Sequence, residues 1–469
     1  MKQICLFLFS LLCAAPVPAA LKAGAAISNT TPPLGTAING GFRPVVSKEV
    51  HDPLHTRALV LDDGKSRLAF GVVDCCVIPR EVFDEAKRII QAKTGMLPAA
   101  VFLCATHTHS AGAVADCYAT EEDAAYRKAM PEKIAAAIVA AAGNLQPAQL
   151  AFGRCAVPQH VFCRRWFMRP GTVPENPLGI PNEQVKMNPA HNDPNLTEPA
   201  GPVDPEICFL SVQTTEGKPL ALLANYGLHY VGDVGPGHIS ADYYAAFARR
   251  LAQKLKAGPE FIGIMSNGTS GNVNNICFKG DDPRPPAGNY ARIELVGEET
   301  AAAVAVAAQG LAYRSEVPLA CAARELTLKV RKPSPTELEA AKKRAEGVPV
   351  SLLKDLGDIY AREQLLLHRG PDQITMRVAA CRIGDVRIGA ISNEVFSETG
   401  LALKKELARH PYFTLSLANG WFGYLPPPEQ HLLGGYETWR SRASYLEIDA
   451  EPKIKSVLLE LLGTLTTQP

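Results

Sequence analysis

The chain has 469 residues, of which 47% are hydrophobic and 20% are charged, so it can bury a sizeable core. Its formal net charge is +1, and no run of like charges occurs along it. Because neither feature supplies a field that would attract nucleic acid or an anionic membrane, the composition indicates a globular protein with no nucleic-acid partner.

The start of the chain has the pattern of a cleaved export signal. A basic start at Lys2 is followed by an apolar stretch and by small residues at positions 17–19. This is the order found in secretory signal peptides. Cys13 is not expected to carry a lipid anchor, because the preceding residue, Leu12, is bulky. We therefore expect a signal peptide over 1–19, a single domain over 20–469, and a secreted or periplasmic mature protein.

The remainder alternates short apolar runs with segments of helical periodicity, a pattern typical of an α/β fold. Strands are predicted over residues 58–63, 67–75, 99–109, 207–215, 219–230, 260–268, 325–330, 374–384, 386–394 and 413–424. Helices are predicted over residues 80–93, 131–142, 241–256, 293–309 and 397–409, with a charged helical insertion over 334–368. No run after the signal segment approaches the roughly eighteen uninterrupted apolar residues of a membrane span.

One connection is unusual. Residues 169–206 hold nine prolines and almost no apolar periodicity. Because a connection of this length inside a compact domain is commonly a lid or a binding loop, this segment is a candidate for either.

Ten cysteines follow the signal segment, and no two of them have C-x-x-C spacing. Zinc ribbons are thereby excluded. Several, including Cys104, Cys208 and Cys381, lie in apolar runs where a thiol behaves as a small hydrophobe. They are predicted to be free and buried. Export would permit a disulfide or two, and the sequence does not specify which cysteines would pair.

Two histidines, His107 and His109, come directly after the apolar run that begins at residue 99. In a strand, side chains two apart face the same way, so both imidazoles would project together beyond the strand end. Such a pair presents nitrogen ligands to a metal, but two histidines do not complete a site. The alternative is a polar strand end with hydrogen-bonded histidines.

Three further apolar runs end in residues that can bind a metal. His229 ends one run, Glu394 another, and Tyr424 a third. Each also has a structural alternative: a core histidine, a helix-capping glutamate and an aromatic packed beneath a loop. Jointly, two histidines and a glutamate match a catalytic zinc shell, and we expect the four strand ends to converge at one sheet edge.

Several segments carry a resemblance to a known family. "THTHSAG" at 106–112, "LHYVGDVGPGHISAD" at 228–242, "SNGTSGNVNN" at 266–275 and "ISNEVFSETG" at 391–400 resemble, in that order, the N-terminal catalytic domain of neutral/alkaline non-lysosomal ceramidases. The resemblance implies layered mixed β-sheets flanked by helices, without the family's C-terminal immunoglobulin-like domain. It also implies a single Zn²⁺ ion, with the ligands His107, His229, Glu394 and Tyr424.

The same resemblance assigns His109, Arg164 and Tyr436 to the substrate pocket. It implies hydrolysis of the amide bond of an N-acyl lipid such as ceramide by a zinc-activated water. Arg164 and Tyr436 would stabilise the oxyanion, and His109 would move the proton to the leaving amine. The expected partner is a lipid or small-molecule amide.

Two departures from the family pattern bear on these expectations. Asn274 stands where ceramidases have a serine that is important for activity, and Cys163 replaces the asparagine before Arg164, leaving Arg165 as a rival for the pocket position. A zinc hydrolase of another amide or ester, and a non-catalytic binding module on the same fold, therefore remain alternatives.

Overall fold

The computed structural model describes residues 20–284 and 288–465. The signal-peptide prediction concerns residues 1–19 and lies outside this described part. The strands in the first half of the chain are β1 (Lys22–Asn29), β2 (Ala37–Ile38), β3 (Val45–Val46), β4 (Glu49–Val50), β5 (His55–Asp62), β6 (Arg67–Val73), β7 (Val101–Ala105), β8 (Gln146–Ala156), β9 (Phe162–Cys163), β10 (Arg165–Met168), β11 (Val185–Met187) and β12 (Leu196–Pro199).

The remaining strands are β13 (Glu206–Thr214), β14 (Pro219–Tyr226), β15 (His238–Ile239), β16 (Ile262–Asn267), β17 (Val273–Asn274), β18 (Leu319–Lys329), β19 (Gln373–Ile383), β20 (Val386–Ala390), β21 (Glu394–Val395), β22 (Tyr412–Leu415) and β23 (Tyr424–Leu425). The α-helices are α1 (Arg80–Thr94), α2 (Ala124–Gly143), α3 (Asp242–Lys254), α4 (Ala291–Ala307), α5 (Pro335–Ala345), α6 (Leu356–Arg369), α7 (Ser397–Glu406), α8 (Pro428–Leu433) and α9 (Ala450–Thr464). Within the described ranges, no helix combines the length and apolarity needed to cross a membrane.

Two large mixed sheets organise the molecule. The first has eight strands in the order β16-β14-β13-β8-β1-β5-β6-β7, and the second has four in the order β18-β19-β20-β22. In the first sheet β1 runs antiparallel to β5, whereas β7 runs parallel to β6 and β16 parallel to β14. Helix α1 carries the chain from β6 to β7, and helix α3 carries it from β14 to β16.

The sheets pack face to face over one core, with helices on their outer faces. Phe70 and Leu210 of the first sheet share a cluster with Ile388 and Phe413 of the second. Helices α1 and α2 cover one part of the outer face of the first sheet, α3 and α4 cover another part, and α9 covers the second sheet. The predicted α/β class, with layered mixed sheets flanked by helices, is confirmed.

The two buried faces of strand β5 show why the sequences of the central strands are almost continuously apolar. Leu59 and Leu61 face the core between the sheets, whereas Ala58 and Val60 face α1 and α2. Because side chains alternate across a strand and both faces are covered, nearly every position must be apolar.

Several predicted boundaries are wrong near the strand ends. The strand predicted over 99–109 ends at Ala105, and the run 413–424 divides into β22 and β23. The helix predicted over 131–142 begins at Ala124, because the carboxylate of Asp123 accepts a hydrogen bond from the Tyr126 N–H and caps it. The helix continues through Pro131.

Other elements were missed or only partly anticipated. Strands β1 and β8 and the C-terminal helix α9 were not predicted. The charged insertion forms the helices α5 and α6, as expected. The long connection 169–206 contains two short strands, β11 and β12, which both pair with β10.

Helix α1 carries a buried lysine. Lys87 is 1% exposed, and its ammonium donates a hydrogen bond to Asn419 Oδ1 at 2.6 Å. Burial, with the nearby Arg377 guanidinium, lowers the pKa of Lys87 to about 7. The backbone N–H of Asn419 in turn donates to the Leu103 carbonyl of β7 at 2.7 Å. Lys87 thereby ties α1 to the loop that precedes Tyr424.

This burial predicts a pH-dependent stability. The unfolded lysine has a pKa near 10.4. Between about pH 7 and pH 10 the unfolded state therefore binds more protons than the folded state, and stability rises with pH. The comparison is the free energy of unfolding of the wild type minus that of Lys87→Met. This difference should increase with pH, by up to roughly 1.4 kcal/mol per pH unit between pH 7 and 9. Urea titrations at both pH values measure this difference. Lys93→Met, at an exposed position of the same helix, is the control and should show no such change; a pH-independent Lys87→Met difference would contradict the expectation.

Candidate metal centre

Three of the four predicted ligands meet around one point. His107 Nε2 lies 3.1 Å from His229 Nε2 and 3.3 Å from Glu394 Oε2. One ligand atom of each residue lies within 4.8 Å of those of the other two. Donor atoms bound to Zn²⁺ at about 2.0–2.1 Å in a tetrahedron lie about 3.3 Å apart. The spacing therefore matches that of ligands around a single ion.

A turn, and not the pleat of a strand, directs the His107 side chain toward His229 and Glu394. Strand β7 ends at Ala105, and His107 has φ 72°, in the left-handed region that non-glycine residues rarely adopt. Its backbone N–H donates to the Cys75 carbonyl at 2.9 Å. The prediction that His107 and His109 share one face of a strand is therefore wrong, although both rings reach the same site.

Two backbone carbonyls fix the tautomers of the histidines. His107 Nδ1 lies 2.8 Å from the Cys76 carbonyl oxygen, and His229 Nδ1 lies 3.0 Å from that of Ser270. A carbonyl oxygen only accepts hydrogen bonds, so each Nδ1 carries a proton, and in the neutral imidazole each Nε2 then presents a lone pair. Two lone pairs thus face each other with no proton between them.

Glu394 completes this arrangement with an unsatisfied oxygen. Its Oε1 accepts a hydrogen bond from Trp421 Nε1 at 3.2 Å, whereas its Oε2 is buried without a hydrogen-bond partner in the described part of the chain. A buried carboxylate oxygen left unpaired costs free energy unless a cation compensates it. Since that oxygen faces two imidazole lone pairs, the residues fit a bound metal ion.

Tyr424 stands beside Glu394 because β21 and β23 pair in parallel with these two residues in register. The two strands form a separate two-stranded sheet. The expectation that all four strand ends converge at one sheet edge is therefore wrong. His107 and His229 follow strands of the eight-stranded sheet, while Glu394 and Tyr424 come from this small neighbouring sheet.

The protonation states suit a cation. Burial alone would raise the pKa of Glu394, but His107 and Arg164 outweigh it and the net pKa is lowered, so the carboxylate is ionised. Burial, together with Arg164 and His107, lowers the pKa of His229 well below its usual value, which leaves a neutral imidazole. Burial and the Glu394 charge raise the pKa of Tyr424, which keeps its phenol protonated.

A second group of potential ligands shares His107. Cys76, His107 and His109 also offer atoms within 4.8 Å of one another. Burial raises the pKa of the Cys76 thiol well above its usual value, whereas a metal requires the thiolate. His107 Nδ1 is already bonded to the Cys76 carbonyl. The set His107, His229 and Glu394 is therefore the better metal site.

Of the two arginines left open by the sequence, Arg164 is the one that reaches the histidines. Its Nη1 lies 3.4 Å from His229 Nε2, and its Nη2 donates to the Gly271 carbonyl at 2.7 Å. Arg165 points away and donates to Gln430 Oε1 at 3.1 Å. This division follows the alternation of side chains along an extended segment.

Glu437 holds both arginines. Its fully buried carboxylate accepts from Arg164 Nε at 2.7 Å and from Arg165 Nη1 at 2.8 Å. Such charge-assisted bonds are stronger than neutral ones and fix the guanidinium planes. Glu437 was not predicted, although it directly follows the predicted pocket residue Tyr436.

His109 and Tyr436 lie next to the proposed ligands. His109 Nε2 is 3.2 Å from His107 Nε2, and its ring stacks on Tyr230 with centroids 3.7 Å apart. Burial, with His107 and Arg164, lowers the pKa of His109 well below its usual value, so its imidazole is neutral. The Tyr436 ring packs edge-on against Tyr424 at 5.6 Å. The structure thus brings the sequence-predicted residues into one region.

An aromatic wall continues from Tyr436 away from the histidines. The Tyr118 hydroxyl donates to that of Tyr436 at 2.8 Å, and Phe42 and Trp439 pack against the Tyr436 ring with centroids 5.6 and 6.1 Å away. These side chains belong to one apolar cluster that also includes Leu178 from the long connection. The candidate binding loop therefore borders this wall.

Asn274, which replaces the serine of the ceramidase pattern, and Asp242 both serve local structure. Asn274 donates to Asn188 Oδ1 at 3.0 Å, and its own Oδ1 accepts the backbone N–H of Asn275 at 2.7 Å. Asp242 accepts the backbone N–H groups of Val231 and Gly232 at 3.0 and 2.9 Å, which holds the loop after His229.

No protein-family model matches the chain, and no curated protein sequence matches it significantly. Its structure, however, is similar to solved structures of ceramidases. The crystal structure of neutral ceramidase from Pseudomonas aeruginosa matches with a TM-score of 0.70 and 16% sequence identity, over 96% of this chain and 76% of that chain. A ceramidase complexed with C2 matches with a TM-score of 0.68 and 16% identity, over 95% and 75%.

The chain has the fold of neutral ceramidases. The resemblance carried by the short segments is thereby confirmed at the level of the fold. Within the candidate centre, the Trp421 indole N–H holds the Glu394 carboxylate from outside the ligand group by its 3.2 Å hydrogen bond to Oε1.

Trp421→Phe keeps the aromatic bulk and removes the N–H that orients the Glu394 carboxylate. Hydrogen bonds to metal ligands raise metal affinity by about 10- to 100-fold. We therefore expect the dissociation constant for an added divalent metal ion to rise at least about tenfold, measured by competition with a chromophoric chelator. Trp439→Phe is the matched control, because Trp439 Nε1 donates to Glu183 and touches none of the proposed ligands. Equal affinities for the two variants would contradict the proposed contact.

Proposed function

We propose that the protein is a zinc-dependent amidohydrolase that cleaves the amide bond of an N-acyl lipid such as ceramide. The observation that carries this proposal is the convergence of His107 Nε2 and His229 Nε2, which are acceptors in the neutral rings, with the ionised Glu394 carboxylate, whose Oε2 has no hydrogen-bond partner in the described part of the chain. The similarity of the fold to neutral ceramidases supports the choice of reaction.

His107, His229 and Glu394 would hold the ion, with the Tyr424 phenol as a fourth ligand beside Glu394. Imidazole and carboxylate ligands suit zinc, which tolerates nitrogen and oxygen donors in a tetrahedral shell. A bound Zn²⁺ would polarise the amide carbonyl and lower the pKa of water to about 7.

The surrounding side chains would manage charge and protons. The Arg164 guanidinium is permanently charged and held rigidly by Glu437, so it would stabilise negative charge on the carbonyl oxygen. The Tyr436 hydroxyl would donate to the same oxygen. His109 Nε2 lies 3.2 Å from His107 Nε2, so it would accept a proton from the attacking water there and pass it to the leaving amine nitrogen.

The aromatic wall favours a substrate that has an apolar chain. Phe42, Tyr118 and Trp439 offer the kind of surface that would bury an acyl chain next to Tyr436. Asn274, in place of the serine of the ceramidase pattern, favours the second candidate, a zinc hydrolase of a different amide or ester. A non-catalytic binding module is the third candidate, and the intact ligand set argues against it.

We also propose that the protein is exported, because residues 1–19 have the signal-peptide pattern described above. N-terminal sequencing of the protein recovered from the periplasm or medium should begin near Ala20. A recovered protein that still begins at Met1 would contradict this proposal.

Metal content tests the centre without assuming a substrate. We expect the purified wild type to contain about one zinc ion per chain by elemental analysis. His107→Ala removes one of the facing Nε2 atoms and should lose most of that zinc. His368→Ala, at an exposed position of α6, is the control and should retain it. Zinc-free wild type after loading and dialysis, or full retention by His107→Ala, would contradict the proposed centre.

Activity on defined lipids tests the reaction. We expect fatty acid release from ceramide or from one member of a panel of N-acyl amino acids and N-acylethanolamines, and hydrolysis only in the presence of zinc. Tyr436→Phe should retain zinc but lose about 100-fold in kcat, the cost of removing one donor to an oxyanion. Release from other N-acyl compounds but not from ceramide would select the second candidate. Zinc-loaded protein that is inactive on this panel and on a matching set of acyl esters would favour the binding module.

A further inference from the structure

Two cysteines lie directly opposite each other in the four-stranded sheet. Cys321 of β18 pairs with Cys381 of β19 in the antiparallel register. Directly opposite residues of such a pair project on the same face of the sheet. Accordingly, Cys381 belongs to the core between the two large sheets, and Cys321 packs against it. Both are free thiols in this structure.

The hydrogen-bond pattern determines how close the two residues are. At one end of the strand pair the Gly384 N–H donates to the Pro318 carbonyl, and at the other the Val330 N–H donates to the Asp372 carbonyl, both at 2.9 Å. Hydrogen-bonded and non-hydrogen-bonded pairs alternate along an antiparallel ladder. Because Cys321 is an odd number of residues from both Pro318 and Val330, it occupies a non-hydrogen-bonded pair with Cys381.

This class of pair has the geometry of a disulfide. Its Cα atoms lie about 4.5 Å apart, with the side chains close together. Disulfides span Cα separations of about 4.4–6.8 Å. The bond could therefore form by side-chain rotation without moving either strand.

Only one of the two thiols is accessible to a solute. Cys321 is partly exposed on the edge strand β18 and lines a cavity of about 480 Å³ together with Arg67 and Leu97. Leu97 is 65% exposed, so this cavity opens at the surface. Cys381 is fully buried. An external oxidant would therefore react first at Cys321, and Cys381 would react next.

We propose that Cys321 and Cys381 form an oxidisable dithiol site that acquires a disulfide from an oxidised low-molecular-weight thiol such as oxidised glutathione. In the first step the Cys321 thiolate attacks one glutathione sulfur, giving a mixed disulfide and releasing one glutathione thiolate. In the second step the Cys381 thiolate attacks the Cys321 sulfur and releases the second glutathione. Two thiols are oxidised, one glutathione disulfide is reduced to two thiols, and the two cysteine protons go to solvent and the released thiolates.

The bond would link the edge strand to its neighbour and close a chain segment that contains α5 and α6. Such a link stabilises mainly by restricting the unfolded chain. Burial raises the pKa of both thiols, so exchange should be slow at neutral pH and faster at alkaline pH. The proposal is independent of the hydrolase function and of zinc.

The test is mass spectrometry of the full-length protein after incubation with oxidised glutathione at pH 8.5. We expect tryptic peptides 315–324 and 378–382 to appear as one cross-linked species that reduction separates, with a mass lower by two hydrogen atoms than their sum. Cys321→Ser should abolish this species. Cys155→Ser is the matched control, because Cys155 is a partly exposed strand cysteine whose cross-strand neighbour is Ile207, and it should leave the species intact.

A second readout separates a link from simple modification. The oxidised wild type should unfold at a temperature several degrees above that of reduced wild type, while oxidation should not raise that of Cys321→Ser. Glutathione retained on Cys321 without a cross-link to 378–382, or both peptides remaining free, would overturn the proposal.

Discussion

The carbonyl oxygens of Cys76 and Ser270 decide what His107 and His229 can bind. Each accepts a hydrogen bond from the Nδ1–H of one imidazole. In the neutral rings both Nε2 atoms are then acceptors, and they lie 3.1 Å apart. Without these two contacts either ring could reprotonate at Nε2 and form an ordinary histidine–histidine or histidine–carboxylate hydrogen bond. The backbone contacts thus leave both Nε2 atoms of the neutral rings as acceptors beside the Glu394 carboxylate, an arrangement that suits a bound cation.

The fold positions the proposed ligands by bringing distant strands together beyond their ends. The Asn267 side chain at the end of β16 donates to the Thr106 carbonyl, directly before His107, at 3.1 Å. The Leu417 N–H donates to the Asn393 carbonyl, directly before Glu394, at 3.0 Å. The first link lies within the eight-stranded sheet and the second within the loops of the four-stranded sheet, and the Ala105 N–H, which donates to the Leu417 carbonyl at 3.3 Å, joins the two. The position of each proposed ligand therefore depends on the packing of both sheets over their shared core.

The sequence could predict which residues meet, but not how they are held. His107, His229 and Glu394 each follow or end an apolar run, so their positions could be read from local pattern together with the family resemblance. The left-handed turn at His107 could not, since no glycine or asparagine marks it and tertiary contacts alone impose it. Trp421 and Glu437 were not predicted, because neither residue belongs to a periodic apolar pattern that would place it in a strand or a helix. Backbone carbonyl partners have no sequence signal at all.

The buried charges around the site depend on one another. Arg164 and Arg165 share the carboxylate of Glu437, and Arg164 also lowers the pKa of Glu394. Removing one partner of a buried ion pair leaves an uncompensated charge, which typically costs about 3–5 kcal/mol. Loss of Glu437 would therefore leave two buried guanidinium groups without their shared counterion and would release Arg164 from its fixed plane. The contacts of Glu437 with Arg164 and Arg165 would thus orient a guanidinium toward a negative oxygen, and they also hold β9, β10 and the segment around Tyr436 together. A substitution at Glu437 should therefore change both the proposed catalysis and the local stability.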